Sequence, residues 1–270
     1  MSKGRTSSKS SAKVFLVGAG PGDPGLLTVT AHSLLQTADV VVYDRLVSKE
    51  VLDLVPPGAA RINVGKQPHC HPVPQEEINE LLVSLAKDGR LVVRLKGGDP
   101  FMFGRGSEEA LHLIANGIDF EVVPGVTAAT GCSAAAGVPL THRGLATSVR
   151  YITGHCREDR DLDLDWHGLA DPDTTLVIYM GVANMAQIAV RLIRNGLPSS
   201  TPAMAVSKGT TPGQRQLVST LGEVADAVAD AQLGSPVLFI VGRVVDLAAH
   251  LVREVEHEVI AFDLPSAHGV

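Results

Sequence analysis

The residues of this chain that are best suited to chemistry stand where apolar runs end. The run 91–95 stops at Gly97-Gly98-Asp99-Pro100, a sequence typical of a sharp turn. Two adjacent glycines let main-chain N–H groups approach a ligand closely, and Asp99 adds a carboxylate beside them. Because ligands bind at the carboxyl ends of strands in parallel α/β sheets, this stretch predicts a ligand-binding loop. A tight strand–helix turn with nothing bound explains the same residues.

Asp44 and Lys66 follow two other predicted strands, 39–43 and 61–64, and are expected at the same sheet edge. An Asp and a Lys that face one cavity could relay protons, or the Lys could hold a substrate carboxylate. An ion pair or two solvated loop charges would explain both residues without any function. The spacing alone favours that simpler interpretation.

Three further candidates come after predicted strands, and one lies between the two halves of the chain. Thr127 begins a predicted helix, Met180 and Gly209 follow strand ends, and Arg143 lies in the connecting segment. The free N–H groups of a helix start could meet a ligand, and the Arg143 cation would suit an anionic substrate. Structural alternatives are a capping role for Thr127, a core position for Met180, a plain turn at Gly209 and a solvated charge at Arg143.

The glycine-rich stretch GAGPGDPG at 18–25 has the strand–loop–helix context of a dinucleotide-binding loop but lacks its fingerprint. Asp23 occupies the third glycine position. Pro21 and Pro24 remove two N–H donors that a pyrophosphate would use, so the stretch is interpreted as a cavity wall. Gly65-Lys66 is not a Walker A motif either, because no Ser or Thr follows the lysine.

Histidine and cysteine residues give weak signals for metal or thiol chemistry. The run His69-Cys70-His71 has no second ligand pair at a matching spacing, so no metal site is predicted. Cys156, next to His155, is interpreted as incidental rather than as a nucleophile. The three cysteines form no disulfide framework, which favours a reducing, cytoplasmic compartment.

Composition argues against several classes of protein. A net charge of −6 disfavours a broad basic surface for nucleic acid. No apolar run approaches membrane-spanning length without Gly, Pro or charge, so no membrane association is expected. Residues 1–12 are polar and basic without an apolar stretch, and they are predicted to be a disordered tail rather than a signal peptide.

Hydrophobic patterning predicts an α/β fold with two α/β domains, the first with a mostly parallel sheet and the second with a mixed sheet. Strands are expected at 14–20, 39–43, 61–64, 91–95, 120–123, 147–153, 174–180, 202–207, 214–219 and 236–241. Helices are expected at 24–36, 47–54, 74–87, 107–116, 126–136, 183–195, 222–231 and 244–254. Asp23 and Ser107 are predicted N-caps. The domains are expected at 13–138 and 147–255, with a linker at 139–146 and a tail at 256–270.

Eight segments in a fixed order are more specific than any one of them. They are GAGPGDPGLLT, VVYDRLVS, VGK, PQEEIN, VVRLKGGDPFMFGRGSEE, VPGVTAATGCSAAAGVPLTHRG, YMG and KGTTPGQRQ. In this order they resemble the tetrapyrrole methylases over about residues 13–250. The resemblance implies two α/β domains with S-adenosylmethionine bound in the cleft between them, and a homodimer.

The resemblance also implies roles for individual residues. The proton acceptor falls on Asp44 and the proton donor on Lys66, which replaces the simpler interpretation of that pair. The implied reaction is two successive methyl transfers to uroporphyrinogen III, giving precorrin-2 and S-adenosylhomocysteine and feeding siroheme and cobalamin synthesis. No metal is implied. The implied cofactor contacts are Pro21, Gly97, Gly98, Asp99, Met102, Thr127, Ala128, Met180 and Gly209.

The implied substrate carries eight carboxylates, and basic residues near strand ends and loops are expected to bind several of them, with a bidentate role for Arg143. These residues are Arg45, Lys49, Lys66, Arg94, Lys96, Arg105, Arg143, Arg150 and Lys208. A later precorrin methylase, a diphthine synthase or an RNA ribose methylase remains an alternative, although the acidic charge disfavours RNA. A non-catalytic S-adenosylmethionine-binding protein is the alternative from another class. An NAD dehydrogenase is disfavoured by Asp23.

Overall fold

The structure, a computed structural model, describes residues 13–65, 73–155 and 162–251. These residues form two five-stranded sheets covered by helices. The strands are β1 Lys13–Gly18, β2 Val40–Tyr43, β3 Ala60–Asn63, β4 Val92–Lys96, β5 Asp119–Val123, β6 Ser148–Thr153, β7 Thr174–Tyr179, β8 Pro202–Ser207, β9 Arg215–Thr220 and β10 Val237–Val241. The α-helices are α1 Val29–Thr37, α2 Lys49–Asp53, α3 Gln75–Lys87, α4 Gly106–Ala115, α5 Ala128–Ala135, α6 Trp166–Leu169, α7 Met185–Arg194, α8 Val224–Asp230 and α9 Ala248–Leu251.

The first sheet has the strand order β3-β2-β4-β1-β5, and all its neighbouring strands run parallel. Its central strands are apolar because both faces are covered. Leu82 of α3 and Leu113 of α4 pack on one face, and Leu35 of α1 and Val51 of α2 pack on the other. Parallel pairing places the carboxyl ends of all five strands at one edge.

The second sheet has the order β6-β7-β10-β8-β9, with β6 and β7 parallel and the remaining pairs antiparallel. The predicted fold class, with a parallel first sheet and a mixed second sheet, is confirmed. Helices α6, α7 and α8 pack on one face of this sheet. On the other face lies α5, through Ala129 and Cys132, so the helix that follows β5 in the chain packs on the second sheet. The domain boundaries stay a prediction.

Several element predictions need correction. The expected helix 24–36 is a 3-10 turn, Pro24–Leu26, capped by Asp23 as predicted, followed by α1. The Thr28 hydroxyl caps α1 by accepting a hydrogen bond from the N–H of Ala31 at 3.1 Å, so the helix begins there. The expected helix 244–254 is likewise divided into a 3-10 turn, Arg243–Leu247, and α9, while residues 252–254 lie outside the described part of the chain.

The predicted N-cap Ser107 is wrong. Helix α4 begins at Gly106, and its N-cap is Arg105, whose φ of 59° is left-handed and whose side chain does not cap. The tight approach of Gly106 to the backbone of Pro100 fixes this start, because a Cβ at Gly106 would collide with the Pro100 carbonyl. Helix α6 was not predicted, since four residues are too few to give a periodic pattern. No helix of the described ranges combines the length and the apolar character that crossing a membrane requires.

Candidate active-site cavity

A cavity of about 480 Å³ lies at the edge where the parallel strands of the first sheet end. Each of the five strand ends contributes to its lining, through Pro21, Asp44, Gly65, Gly97-Gly98-Asp99 and Thr127. The second sheet contributes Tyr179 and Met180, which stand at the end of β7, and Pro236, which precedes β10. The cavity therefore lies where the two sheets meet, as expected for a ligand site at strand carboxyl ends.

Close packing of glycines brings three strand ends together. Gly98 has a φ of 72°, and its N–H donates to the carbonyl of Gly20 at 2.7 Å. The N–H of Gly20 returns a hydrogen bond to the carbonyl of Gly98 at 3.2 Å. A Cβ at Gly125 would collide with that carbonyl and lie 2.8 Å from the Cα of Gly18. Only residues without a side chain allow the loops after β1, β4 and β5 to pack this closely.

Asp99 links two of these loops. Its Oδ1 accepts a hydrogen bond from the N–H of Phe101 at 2.8 Å, and its Oδ2 accepts one from the N–H of Gly125 at 3.0 Å. The carboxylate thus ties the loop after β4 to the loop after β5 while it lines the cavity. Each carboxylate oxygen can accept a further hydrogen bond, so this structural role is compatible with ligand binding.

A hydroxyl pair joins the two sheets across the cavity. The Oη of Tyr179 lies 2.7 Å from the Oγ1 of Thr127 and accepts a hydrogen bond from the N–H of Ala129 at 2.9 Å. Burial is the main cause that raises the pKa of Tyr179, so the phenol stays protonated at neutral pH. The ring of Phe103 packs against Tyr179 with centroids 5.0 Å apart. The start of α5 is thereby held against the end of β7.

Of the predicted acid–base pair, only one member lies in the described residues. Asp44 lines the cavity, and its Oδ1 accepts a hydrogen bond from the N–H of Leu46 at 2.9 Å. Gly65, the residue before Lys66, also lines the cavity. Lys66 itself lies outside the described residues, and so do His69, Cys70, His71 and Cys156.

Eight of the nine predicted cofactor contacts line the cavity. Gly209 is not part of the cavity lining, and a Cβ there would collide with the Sγ of Cys132 on α5, so it lies behind the cavity wall. Arg143 is exposed and does not line the cavity either. The predicted contacts that do line the cavity are Pro21, Gly97, Gly98, Asp99, Met102, Thr127, Ala128 and Met180. Their binding roles stay predictions.

Unusual backbone conformations cluster around the cavity. Phe103, Arg105 and Met180 line it with positive φ angles of 53°, 59° and 53°. Such angles are costly for residues with side chains and concentrate at functional sites. Arg105 also pairs with Glu108 through two hydrogen bonds of 2.9 Å and 2.7 Å, which raise the pKa of the guanidinium.

Gln75, Phe103 and Tyr179 are among the cavity residues that the sequence did not predict. Tyr179 and Phe103 are sequence neighbours of the predicted Met180 and Met102, so an aromatic side chain beside a predicted contact was an available signal. Gln75 begins α3 and reaches the cavity from the face of the sheet, which no local pattern indicates. Among residues 13–65, 73–155 and 162–251, no group of three or more His, Cys, Asp or Glu side chains is arranged to hold a metal ion.

Comparisons with known proteins identify the family. The family described as "Tetrapyrrole (Corrin/Porphyrin) Methylases" matches residues 13–225. The uroporphyrinogen-III C-methyltransferase of Paracoccus denitrificans is 57% identical over 236 residues, which are 87% of this chain and 82% of that protein. The siroheme synthase of Stutzerimonas stutzeri is 54% identical over 90% of this chain, but the chain spans only 52% of that longer protein.

A solved structure has the same architecture. It is the uroporphyrin-III C-methyl transferase of Thermus thermophilus complexed with S-adenyl homocysteine, which is 44% identical and superposes with a TM-score of 0.75. The match covers 87% of this chain and 99% of that one. The chain described here therefore belongs to the tetrapyrrole (corrin/porphyrin) methylases.

Proposed function

We propose that this protein is an S-adenosylmethionine-dependent C-methyltransferase that adds two methyl groups to uroporphyrinogen III and forms precorrin-2. The main support is the convergence of eight predicted cofactor contacts on one cavity, in a chain that is 57% identical to a relative with this activity in its name. The siroheme synthases among its relatives support a place before siroheme, and cobalamin synthesis is the second proposed use of the product.

The residues of the cavity fit S-adenosylmethionine. Gly97 and Gly98 line the cavity without side chains of their own, so a ligand can approach the main chain closely there. Met102, Ala128 and Met180 supply apolar surface, and Asp99 supplies a carboxylate. A ligand held by these residues would be shielded from water.

Bound S-adenosylmethionine would supply a methyl group that is already activated on a sulfonium, so the protein needs no metal ion or covalent intermediate for the transfer. What remains for the chain is alignment of the substrate carbon in a water-poor cleft. A proton must leave the tetrapyrrole after the methyl group has been added, and we assign its acceptance to Asp44 and the opposite donation to Lys66. Arg143 is proposed to bind a substrate carboxylate by a bidentate contact, which requires it to approach the substrate from outside the cavity.

We further infer that the protein acts as a homodimer in the cytoplasm. The family resemblance supports the dimer, and the three cysteines without a disulfide framework support a reducing compartment. Light scattering coupled to gel filtration would give the mass of the particle, and the mass of a single chain would contradict the dimer.

The deciding experiment is anaerobic incubation of the pure protein with uroporphyrinogen III and excess S-adenosylmethionine, followed by mass spectrometry of the tetrapyrrole. We expect a gain of two methyl groups. No gain, with S-adenosylhomocysteine still bound in calorimetry, would instead favour a different acceptor within the family, such as a later corrinoid. No gain in any acceptor, with cofactor bound, would favour the non-catalytic alternative.

A further inference from the structure

A buried ionic cluster lies in the cavity wall. It includes Arg94 and Lys96, two of the cations that the sequence predicts to bind substrate carboxylates, and Glu109, which has no role above. Arg94 and Lys96 are two residues apart on β4, so their side chains leave the same face of the strand. Both are 3% exposed, and Glu109 of α4 is fully buried beside them. The Oε1 of Glu109 accepts hydrogen bonds from the Nε of Arg94 at 3.1 Å and from the Nζ of Lys96 at 2.9 Å. Gln75 donates to the same oxygen at 3.2 Å.

The cluster carries more positive than negative charge. Two cations share one carboxylate oxygen, and the other oxygen of Glu109 has no hydrogen-bond partner among the described residues. Burial, and next the charge of Arg94, lower the pKa of Lys96. Asp44 attracts Lys96 from a distance, but no hydrogen bond joins the two in the described part of the chain. An unbalanced buried charge is costly unless a further group compensates it.

The cluster still has hydrogen-bond donors available for a compensating group. Within the described residues, the Nη2 of Arg94 has no hydrogen-bond partner, and the Nζ of Lys96 has Glu109 alone. Arg94, Lys96 and Gln75 all line the cavity, whereas Glu109 stands behind them. The residues that carry the excess positive charge therefore border the space where a ligand would bind.

We propose that Arg94 and Lys96 form a carboxylate-binding subsite in the cavity wall, with Glu109 and Gln75 as positioning residues that hold the two cations. The inference rests on the proposed function, since uroporphyrinogen III and S-adenosylmethionine both carry carboxylates. One singly charged carboxylate balances the cluster and accepts an N–H from each cation. We expect the tetrapyrrole to supply it, because eight carboxylates surround its ring, and binding one of them would orient the ring toward Asp44.

The test compares two matched lysines in the full-length protein. Lys96→Met removes the cation of the subsite, and Lys13→Met removes a lysine that is paired with Glu121 at 2.7 Å on the surface, outside the cavity. We expect Lys96→Met to raise the KM for uroporphyrinogen III by about 10- to 100-fold, the range typical of a lost charged hydrogen bond. The kcat and the Kd of S-adenosylhomocysteine should change much less, and Lys13→Met should leave all three unchanged. Lys96→Arg, which keeps the charge, should recover most of the substrate affinity.

Glu109→Gln tests the positioning role, because it keeps the shape of the side chain and removes its charge. We expect the KM for uroporphyrinogen III to rise while kcat stays within a few-fold, and a loss of stability with an unchanged KM would contradict the role.

The Lys96→Met variant also distinguishes the two possible ligands. If it weakens the binding of S-adenosylhomocysteine instead of the tetrapyrrole, the subsite holds the carboxylate of the cofactor. If neither affinity changes, the subsite is wrong.

Two further results keep this inference separate from the proposed function. A wild-type protein that does not methylate uroporphyrinogen III would contradict the function. Calorimetry of uroporphyrin III with the wild type and with Lys96→Met would still test the subsite, because weaker binding to the variant supports it and equal binding contradicts it. If the variants do not fold, a crystal structure of the wild type with uroporphyrin III and S-adenosylhomocysteine decides. A ligand carboxylate within hydrogen-bond distance of the Nζ of Lys96 or the Nη2 of Arg94 supports the subsite. A complex with no carboxylate there overturns it.

Discussion

The two sheets contribute to the cavity in unequal ways. The first sheet supplies a residue from each of its five strand ends, and the second supplies Tyr179, Met180 and Pro236. Strand direction explains the difference. In the parallel sheet all carboxyl ends share one edge. Strand β10 instead runs against β7, so that Pro236, the residue before β10, lies beside the end of β7. A parallel sheet thus gathers loops from distant parts of the chain, and an antiparallel neighbour supplies a supporting wall.

The largest expected effect tests the loop packing of the first sheet. In Gly125→Ala the new methyl group would collide with the carbonyl of Gly98 and press on Gly18, and backbone atoms cannot rotate away. We expect the free energy of unfolding to fall by about 3 kcal/mol and S-adenosylhomocysteine binding to be lost. Chemical denaturation and calorimetry measure the two effects.

Gly58→Ala is the matched control for this change, because a Cβ at Gly58 meets no atom within 4 Å. We expect this variant to bind S-adenosylhomocysteine like the wild type. Equal behaviour of the two variants would mean that close glycine packing does not shape the cavity.

The next prediction concerns the pH dependence of stability that arises from Cys132 on α5, the helix that covers one face of the second sheet. Burial raises the pKa of the Cys132 thiol on α5 from 9.0 to about 11. Between these pH values the folded protein keeps a proton that the unfolded chain loses, so stability falls as the pH rises from 9 toward 11. A shift of this size corresponds to at most about 3 kcal/mol.

Cys132→Ala isolates this contribution, because every other titrating group is still present. Denaturation at a series of pH values should show a shallower loss of stability above pH 9 in the variant than in the wild type. Parallel curves would show that the thiol does not resist ionisation in the folded state, and that α5 does not seal this face of the sheet.

A smaller effect concerns the link between the sheets. Tyr179→Phe removes the hydroxyl that contacts Thr127 and leaves the N–H of Ala129 without its acceptor. We expect a loss of about 1–2 kcal/mol in the free energy of unfolding, with weaker binding of S-adenosylhomocysteine. Tyr151→Phe is the control, since its hydroxyl makes no hydrogen bond in the described residues. If both variants behave alike, the second sheet supports the cavity by packing alone.

The sequence predicted the parts of the molecule that depend on local patterns. Apolar runs ending in glycine, such as the one before Gly97, identified the parallel sheet and its ligand edge. Family motifs then selected residues such as Met102 and Thr127 that line one cavity. Helix starts were less predictable. Ser107 was the predicted N-cap of α4, but the N-cap is Arg105, whose left-handed backbone conformation no sequence pattern indicates.

Other features depended on long-range contacts that no sequence pattern contains. Nothing near Cys132 indicated that α5 would leave the first sheet and cover the second. The sequence indicated Arg94 and Lys96 as cations for the substrate, but it did not indicate that both also bind Glu109, which lies on the following helix. The hydroxyl of Tyr179 meets Thr127 across 52 residues of chain. Such pairs become visible only when the two sheets are assembled.

The smallest expected effect compares the two edges of the first sheet. Lys13 pairs with Glu121 at the edge where β1 and β5 begin, at 2.7 Å, and Lys96 pairs with Glu109 near the cavity at 2.9 Å. The first pair has side chains 41% and 50% exposed and the second 4% and 0%, so water screens only the first. Lys13→Met should therefore change the free energy of unfolding by less than about 1 kcal/mol, a loss that includes the contact of Lys13 with the Phe15 ring at 4.8 Å. Thermal denaturation of wild type and variant at low and high salt measures this effect. An effect of the same size at high salt would mean that the exposed pair is as little screened as the buried pair near the cavity.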